Sequence, residues 1–387
     1  MADLKLNGIT PDGVGKIKLG SSNVQKIYNS STLVWPLSSS DPIDPYTPVD
    51  GTARLIAAQN AAINLYDTSF NTITPTNPFS SLPNINYEIA GVSDNLTYMV
   101  VCGAQGSREN IKISQNGGVS FSDPFTGTFA TTWNQTIASK SGQVILSAIT
   151  PANGGTAPTT NENWMLSTDY GANFAKITFP NVIGVGSVRS ASLSSGGKYI
   201  ALSFTGLSSN FANRNYLFYS VDYGATWFKE TNFGASENRR WVALMSGTGQ
   251  YMVFIDVYIP SNSFYSSDYG ANFSSKNYNF GSSLFTLNGT VGTVMDTSGE
   301  HYIVARPLAN EIDHGDNYAA NMPSNSLTVS GSAKNVRISN NGETQLWFDE
   351  GSGSPGYGIS LDFGATWYNS SAPSAVSGGS LFIVDVS

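Results

Sequence analysis

The chain has 387 residues and a net charge of −8, with only 12% of its residues charged. This acidic balance, with no basic run, excludes a nucleic-acid binder, whose affinity rests on Lys and Arg. No apolar run reaches the roughly 18 residues of a transmembrane helix, and the single cysteine, Cys102, excludes an intrachain disulfide.

The opening residues, Met1 to Gly8, lack the apolar stretch of a signal peptide. Residues 1–37 read as a separate small β module, a three-stranded meander over Ile17–Leu19, Val24–Tyr28 and Thr32–Trp35, with turns at Gly20–Asn23 and Asn29–Ser31. So short a module, without disulfide or metal, rarely folds alone and is expected to dock on something larger. Residues 38–50 carry three prolines among serines and aspartates and read as a stiff linker.

From Gly51 a repeat begins. Its clearest mark is Ser220-Val-Asp222-Tyr-Gly224-Ala-Thr226-Trp227, and the same pattern returns around Asp169, Asp268 and Asp362. Two degenerate copies place Asn116 and Asp313 at the acidic position. The steps between successive copies are 53, 53, 46, 45 and 49 residues. A near-constant period of this size means one supersecondary unit repeated along the chain. Within the eight residues, Asp accepts backbone N–H groups across a turn, Gly takes a positive φ, and the last aromatic packs beneath. A feature copied six times is structural, not an active site.

Each unit holds four strands. In the clearest, strand a is Val188–Leu193, strand b Tyr199–Phe204, strand c Tyr216–Ser220 and strand d Trp227–Glu230, with the motif making the c–d turn. Six units fill residues 86–378. One strand remains at the C-terminus, Ser380–Val386, and three at the start, Arg54–Ala58, Ala62–Asp67 and Phe70–Thr74. Together they make a seventh unit, with an eroded copy of the motif at Asp67. The expected fold is therefore an all-β, seven-bladed β-propeller over residues 51–387, closed by both chain ends and preceded by the small N-terminal module.

The motif resembles the Asp-box, or bacterial neuraminidase repeat, which sialidases, sortilin-type receptors, xyloglucanases and photosystem assembly factors carry on propeller blades. The resemblance covers residues 51–387. A second resemblance lies in Ile17 to Pro36, which is similar to a short segment near the start of tailed-phage structural proteins, with Ser30 where Gly is usual. It implies a virion-associated protein, partnered through residues 1–37 with other virion proteins and made in the host cytoplasm.

In a propeller the b–c loops share the face opposite the Asp-boxes, and long loops on a rigid scaffold are the usual place for binding. Here they carry Arg108, Glu109, Asn161, Glu162 and Arg214, then Tyr258, Arg306, Asp349, Glu350 and Tyr357. Such amides, aromatics and few charges suit a host-surface glycan. The alternative is a glycosidase or depolymerase on the same face, which needs two opposed carboxylates. A sialidase resemblance implies three convergent arginines and a Phe/Tyr-Arg-Ile-Pro motif; the chain has eight arginines, and its one Arg-Pro, Arg306-Pro307, departs from that motif. His301 and His314 are the only histidines and have no zinc spacing. No metal, cofactor or membrane insertion is expected, and the chain reads as non-enzymatic.

Overall fold

The computed structural model describes the backbone of residues 9–12, 16–19, 22–23, 27–29 and 32–35. It further describes 44, 46–48, 51–59, 62–73, 86–105, 108–124, 129–130, 136–151, 163–180, 182, 184–207, 213–229, 241–256, 262–278, 293–306, 310–320, 322, 325–329, 335–348, 356–371 and 380–386. The chain forms two compact units, Met1–Ile43 and Asp44–Ser387.

Among its described residues the first unit holds five strands where the sequence suggested three. β1 (Ile9–Asp12), β2 (Lys16–Leu19) and β3 (Ser22–Asn23) form one sheet; β4 (Ile27–Asn29) and β5 (Thr32–Trp35) form a hairpin. β1 escapes a reading by pattern because Pro11 sits in it, a residue tolerated there because β1 is an edge strand.

The second unit is a seven-bladed β-propeller of small antiparallel sheets. Blade 1 takes β6 (Thr52–Gln59), β7 (Ala62–Tyr66) and β8 (Thr72–Ile73). Blade 2 is β9 (Asn86–Val92), β10 (Met99–Gln105) and β11 (Arg108–Ser114), with a bridge from Ile113 to Ser122 as its outer edge. Blade 3 is β12 (Phe129–Ala130), β13 (Thr136–Ala138), β14 (Ile145–Pro151), β15 (Asn163–Ser167) and β16 (Ala175–Lys176). Blade 4 is β17 (Gly184–Leu193), β18 (Ile200–Leu207), β19 (Asn213–Ser220) and β20 (Phe228–Lys229). Blade 5 is β21 (Trp241–Met245), β22 (Met252–Asp256), β23 (Ser263–Ser266) and β24 (Ser274–Lys276). Blade 6 is β25 (Thr293–Met295), β26 (Tyr302–Arg306), β27 (Glu311–Gly315) and β28 (Asn325–Thr328). Blade 7 is β29 (Asn335–Ile338), β30 (Gln345–Phe348), β31 (Gly356–Ser360) and β32 (Tyr368–Ser371). The last strand, β33 (Ser380–Val386), returns to blade 1 and pairs with β6 from Ser380↔Ala58 to Val386↔Thr52. The two chain ends thus complete one sheet, as the leftover strands required.

Alternation along the b strands explains the closure. Leu55 and Ala57 pack against blade 7, whereas Ile56 between them packs against blade 2. In blade 5, Met252 and Phe254 face blade 4 while Val253 and Ile255 face blade 6. Each blade is therefore buried on both faces, and its inner strands read as unbroken apolar runs instead of alternating ones. Seven hydrophobic clusters result, one in each gap between neighbouring blades. Cys102 belongs to the cluster between blades 2 and 3.

Candidate functional site

The Asp-box turns and the a–b turns share one face. In blade 4, Ser220 Oγ donates to Asp222 Oδ1 at 2.9 Å and accepts from Gly224 N at 2.8 Å. Asp222 in turn accepts Thr226 N at 2.8 Å and Thr226 Oγ1 at 2.6 Å. The same bonds recur around Asp169, Asp268 and Asp362, and Asn116 accepts Ser120 N in the same way. Asp67 accepts Ser69 N and Asn71 N in a turn of its own shape.

Asp313 requires correction. It lies inside β27, opposite Val304 and Ser326, not in the turn. The turn of blade 6 is centred four residues later: Tyr318 and Ala319 take the positive φ values that Tyr170 and Gly171 take in blade 3, and Ala320 N bonds Asn317 O as Ala172 N bonds Asp169 O. Asn317 therefore holds the acidic position. Asp313 was misleading because Gly315 follows it at the motif's spacing, but that glycine replaces the leading serine. Asp313 instead pairs with Arg306, Nε to Oδ2 at 2.5 Å.

A second repeated turn was missed in the sequence. In the a–b hairpins a serine hydroxyl accepts the N–H five residues on: Ser93 from Tyr98, Ser139 from Val144, Ser194 from Tyr199, Ser246 from Tyr251 and Ser339 from Thr344. The signal was present as Ser-x-x-Gly at Ser139, Ser194, Ser246 and Ser339, with Leu96 in the glycine position after Ser93. These turns bond to one another around the axis: Asp94 N to Lys140 O, Ser141 N to Ser195 O, Ser195 N to Gly247 O, Gly247 N to Asp296 O and Thr297 N to Asn340 O. Asp385 of blade 1 accepts Asn340 N at 2.6 Å, and Asn340 Nδ2 closes the circle on Asp94 Oδ2 at 3.1 Å.

Inside the ring lies an axial channel of about 360 Å³. Its lining runs from the strand starts (Thr136, Thr293, Asn335) to the a–b turns (Lys140, Ser195, Gly247). At the turn end Lys140 Nζ crosses to Asn340 Oδ1. Burial pushes the Lys140 ammonium down from its ordinary value, opposed by Asp94, Asp385 and Asp296.

The segment read as a linker is in part seated on this end. Asp44 Oδ2 accepts Ser194 Oγ at 2.5 Å and Gly196 N at 3.0 Å, and Tyr46 OH reaches Asp94 Oδ2 at 3.2 Å. A Cβ on Gly196 would overlap Asp44 Oδ1 and approach Tyr46 Cβ to 2.6 Å. Gly196 is thus required by this strap. Burial raises the Tyr46 pKa, helped by Asp94.

On the opposite face the blades are unequal. Strand c begins nine residues before the box Asp in blade 4 and eight before Asn116 in blade 2, but only five or six before it in blades 5 to 7. In blade 3, β12 pairs with the far end of β14. At about 3.3 Å per residue, the described c strands of blades 2 and 4 reach roughly 7–13 Å further than those of blades 5 to 7. The backbone places Arg108 and Glu109 opposite Gln105 and Ala104 on this rim, and Arg214 opposite Gly206. Arg306 and Tyr357 lie lower and are engaged: Arg306 with Asp313 and Glu311, and Tyr357 with Phe70 of blade 1 at 4.5 Å between ring centres. Asn161, Glu162, Tyr258, Asp349 and Glu350 lie outside the described residues.

No protein-family model matches the chain, nor does any curated protein. Solved structures do. A Lactobacillus plantarum protein is similar at 11% identity and TM-score 0.51, over 87% of this chain and 100% of that one. A prolyl endopeptidase is similar at 7% identity and TM-score 0.52, over 83% of this chain and 50% of that one. A Hadza microbial sialidase is similar at 11% identity and TM-score 0.43, over 84% of this chain and 68% of that one. At these identities the likeness concerns the fold.

Proposed function

We propose that this chain is a glycan-binding adhesion protein, without catalytic activity, that meets its ligand on the b–c face. The observation that carries the reading is the raised rim of blades 2 to 4 beside the axial channel. A rigid seven-bladed ring, stitched at its far face, holds this asymmetric surface in place. Among the described lining residues of the channel are hydroxyls, Asn335 and apolar side chains, a match for sugar hydroxyls and C–H faces.

The finer reading is an adhesin of a phage particle, with residues 1–37 seated on other virion proteins. Its support is the likeness of Ile17 to Pro36 to tailed-phage structural segments. The test is co-sedimentation of the full chain with intact bacterial cells, with released reducing sugar assayed in the same tube. Retention without release supports binding. Release of sugar reverses the non-catalytic reading.

A further inference from the structure

We infer that the a–b turn of blade 4 is a binding socket for an aspartate-bearing chain segment, and that the chain's own Asp44 occupies it as a clip. The inference goes beyond the glycan reading and does not depend on it.

The turns of blades 2, 3, 5, 6 and 7 show what the socket lacks. In each, the side chain two residues after the leading Ser or Asp bonds to that residue and accepts the N–H two positions further on. Asn95 Oδ1 accepts Ser93 Oγ at 2.7 Å and Thr97 N at 3.0 Å. Ser141 Oγ lies 2.9 Å from Ser139 Oγ and accepts Gln143 N at 3.1 Å. Thr248 does the same with Ser246 and Gln250 N, Ser298 with Asp296 and Glu300 N, and Asn341 with Ser339 and Glu343 N. A side-chain oxygen at this place is part of the turn.

Blade 4 has Gly196 there, so its turn brings no such oxygen. Asp44 Oδ2 supplies it. It accepts Ser194 Oγ at 2.5 Å and Lys198 N at 3.3 Å, the two bonds made within the turn elsewhere, and Gly196 N at 3.0 Å besides. Asp44 is 4% exposed, and a carboxylate so buried needs these donors. Gly196 takes no positive φ, so its backbone admits a side chain. What excludes one is the strap, since a Cβ would lie 2.1 Å from Asp44 Oδ1 and 2.6 Å from Tyr46 Cβ.

A second contact sets the class of segment. Asp44 Oδ1 accepts Tyr46 N at 3.0 Å, folding the strap back on itself. Tyr46 OH then reaches Asp94 Oδ2 at 3.2 Å and Lys140 O at 3.4 Å, at the floor of the axial channel where Lys140 meets Asn340. The socket reads an aspartate followed two residues on by a tyrosine. Its clip holds the strap on the face opposite the b–c rim, clear of the surface proposed for ligand.

The test uses the full chain and Gly196→Asn, which supplies the oxygen from within the turn, as Asn341 does in blade 7, and leaves no room for the strap. Chymotrypsin is added under native conditions, and cleavage after Tyr46 is followed by mass spectrometry. Cleavage there is expected to be about tenfold faster in Gly196→Asn than in the wild type, the worth of one hydrogen bond to a charged group. Gly196→Asn and Gly196→Ala are then each placed in the Asp44→Ala background. Both add the same Cβ, but only asparagine brings the oxygen. Asparagine is expected to recover part of the urea midpoint lost in Asp44→Ala, and alanine none of it. Equal protection of Tyr46 in the wild type and Gly196→Asn, or asparagine no better than alanine in that background, overturns the socket. Protection that rises with chain concentration assigns the occupant to a second copy and overturns the clip within one chain.

Discussion

Lys140 donates across the propeller axis to Asn340, joining blade 3 to blade 7. Asn340 passes the connection to Asp94 of blade 2 and Asp385 of blade 1. One partly buried cation thus faces three carboxylates, counting Asp296. Replacing Lys140 by Met leaves those carboxylates without their cation. Removing one partner of such a buried set costs about 3–5 kcal/mol, to be read as a lowered urea midpoint with an unchanged slope.

Gly196 and Asp44 are predicted to be coupled. Gly196 has no positive φ to protect, so a methyl group there meets only the strap. Gly196→Ala is expected to destabilise by about 1–3 kcal/mol by overpacking. In the Asp44→Ala background the part of that cost owed to the carboxylate should vanish, while the approach to Tyr46 Cβ remains. A double-mutant cycle by urea unfolding measures the coupling, and additive effects would refute the close approach.

The Asp-boxes make the fold sensitive to acid. Bonds from Asn173 and Thr226 hold Asp169 and Asp222 below the ordinary value of 3.8, in Asp222 against an upward push from burial. Asp268 and Asp362 are lowered likewise. The unfolded chain then binds more protons than the folded one below about pH 4, so this stabilisation is complete above the unfolded value and lost as pH falls through the folded one. Asp296 acts the other way, because burial raises its pKa. Thermal unfolding from pH 7 to 2 should show a falling midpoint below pH 4, shallower in Asp169→Asn.

How much of this was legible in the sequence differs by feature. The blades were, because motif spacing and unbroken apolar runs such as Tyr251–Ile255 report strands buried on both faces. The closure was legible because Ser380–Val386 had no other partner. The rim was not: strand extension as far as Leu207 or Gln105 depends on pairing across a hairpin, which leaves no periodic trace. The floor was hidden too, since Lys140, Asn340 and Asp94 lie up to 246 residues apart. Asp313 shows the limit of a motif, where Gly315 mimicked the spacing while Tyr318 and Ala319 made the turn.

That register correction has its own consequence. Asp313→Ala takes the buried one of two carboxylates from Arg306, leaving Glu311, and is expected to cost about 3 kcal/mol. Asp222→Ala removes bonds in a turn that is largely exposed, and about 1–2 kcal/mol is expected. Chemical denaturation of the two variants side by side checks the order. Equal losses would return Asp313 to the turn.

The most direct measurement of the central claim is retention of the full chain on an array of bacterial surface polysaccharides, with reducing ends assayed in the same wells. Retention on a subset of glycans, with no increase in reducing ends, is the predicted result. Time-dependent release of reducing ends, or no retention on any glycan, would contradict it.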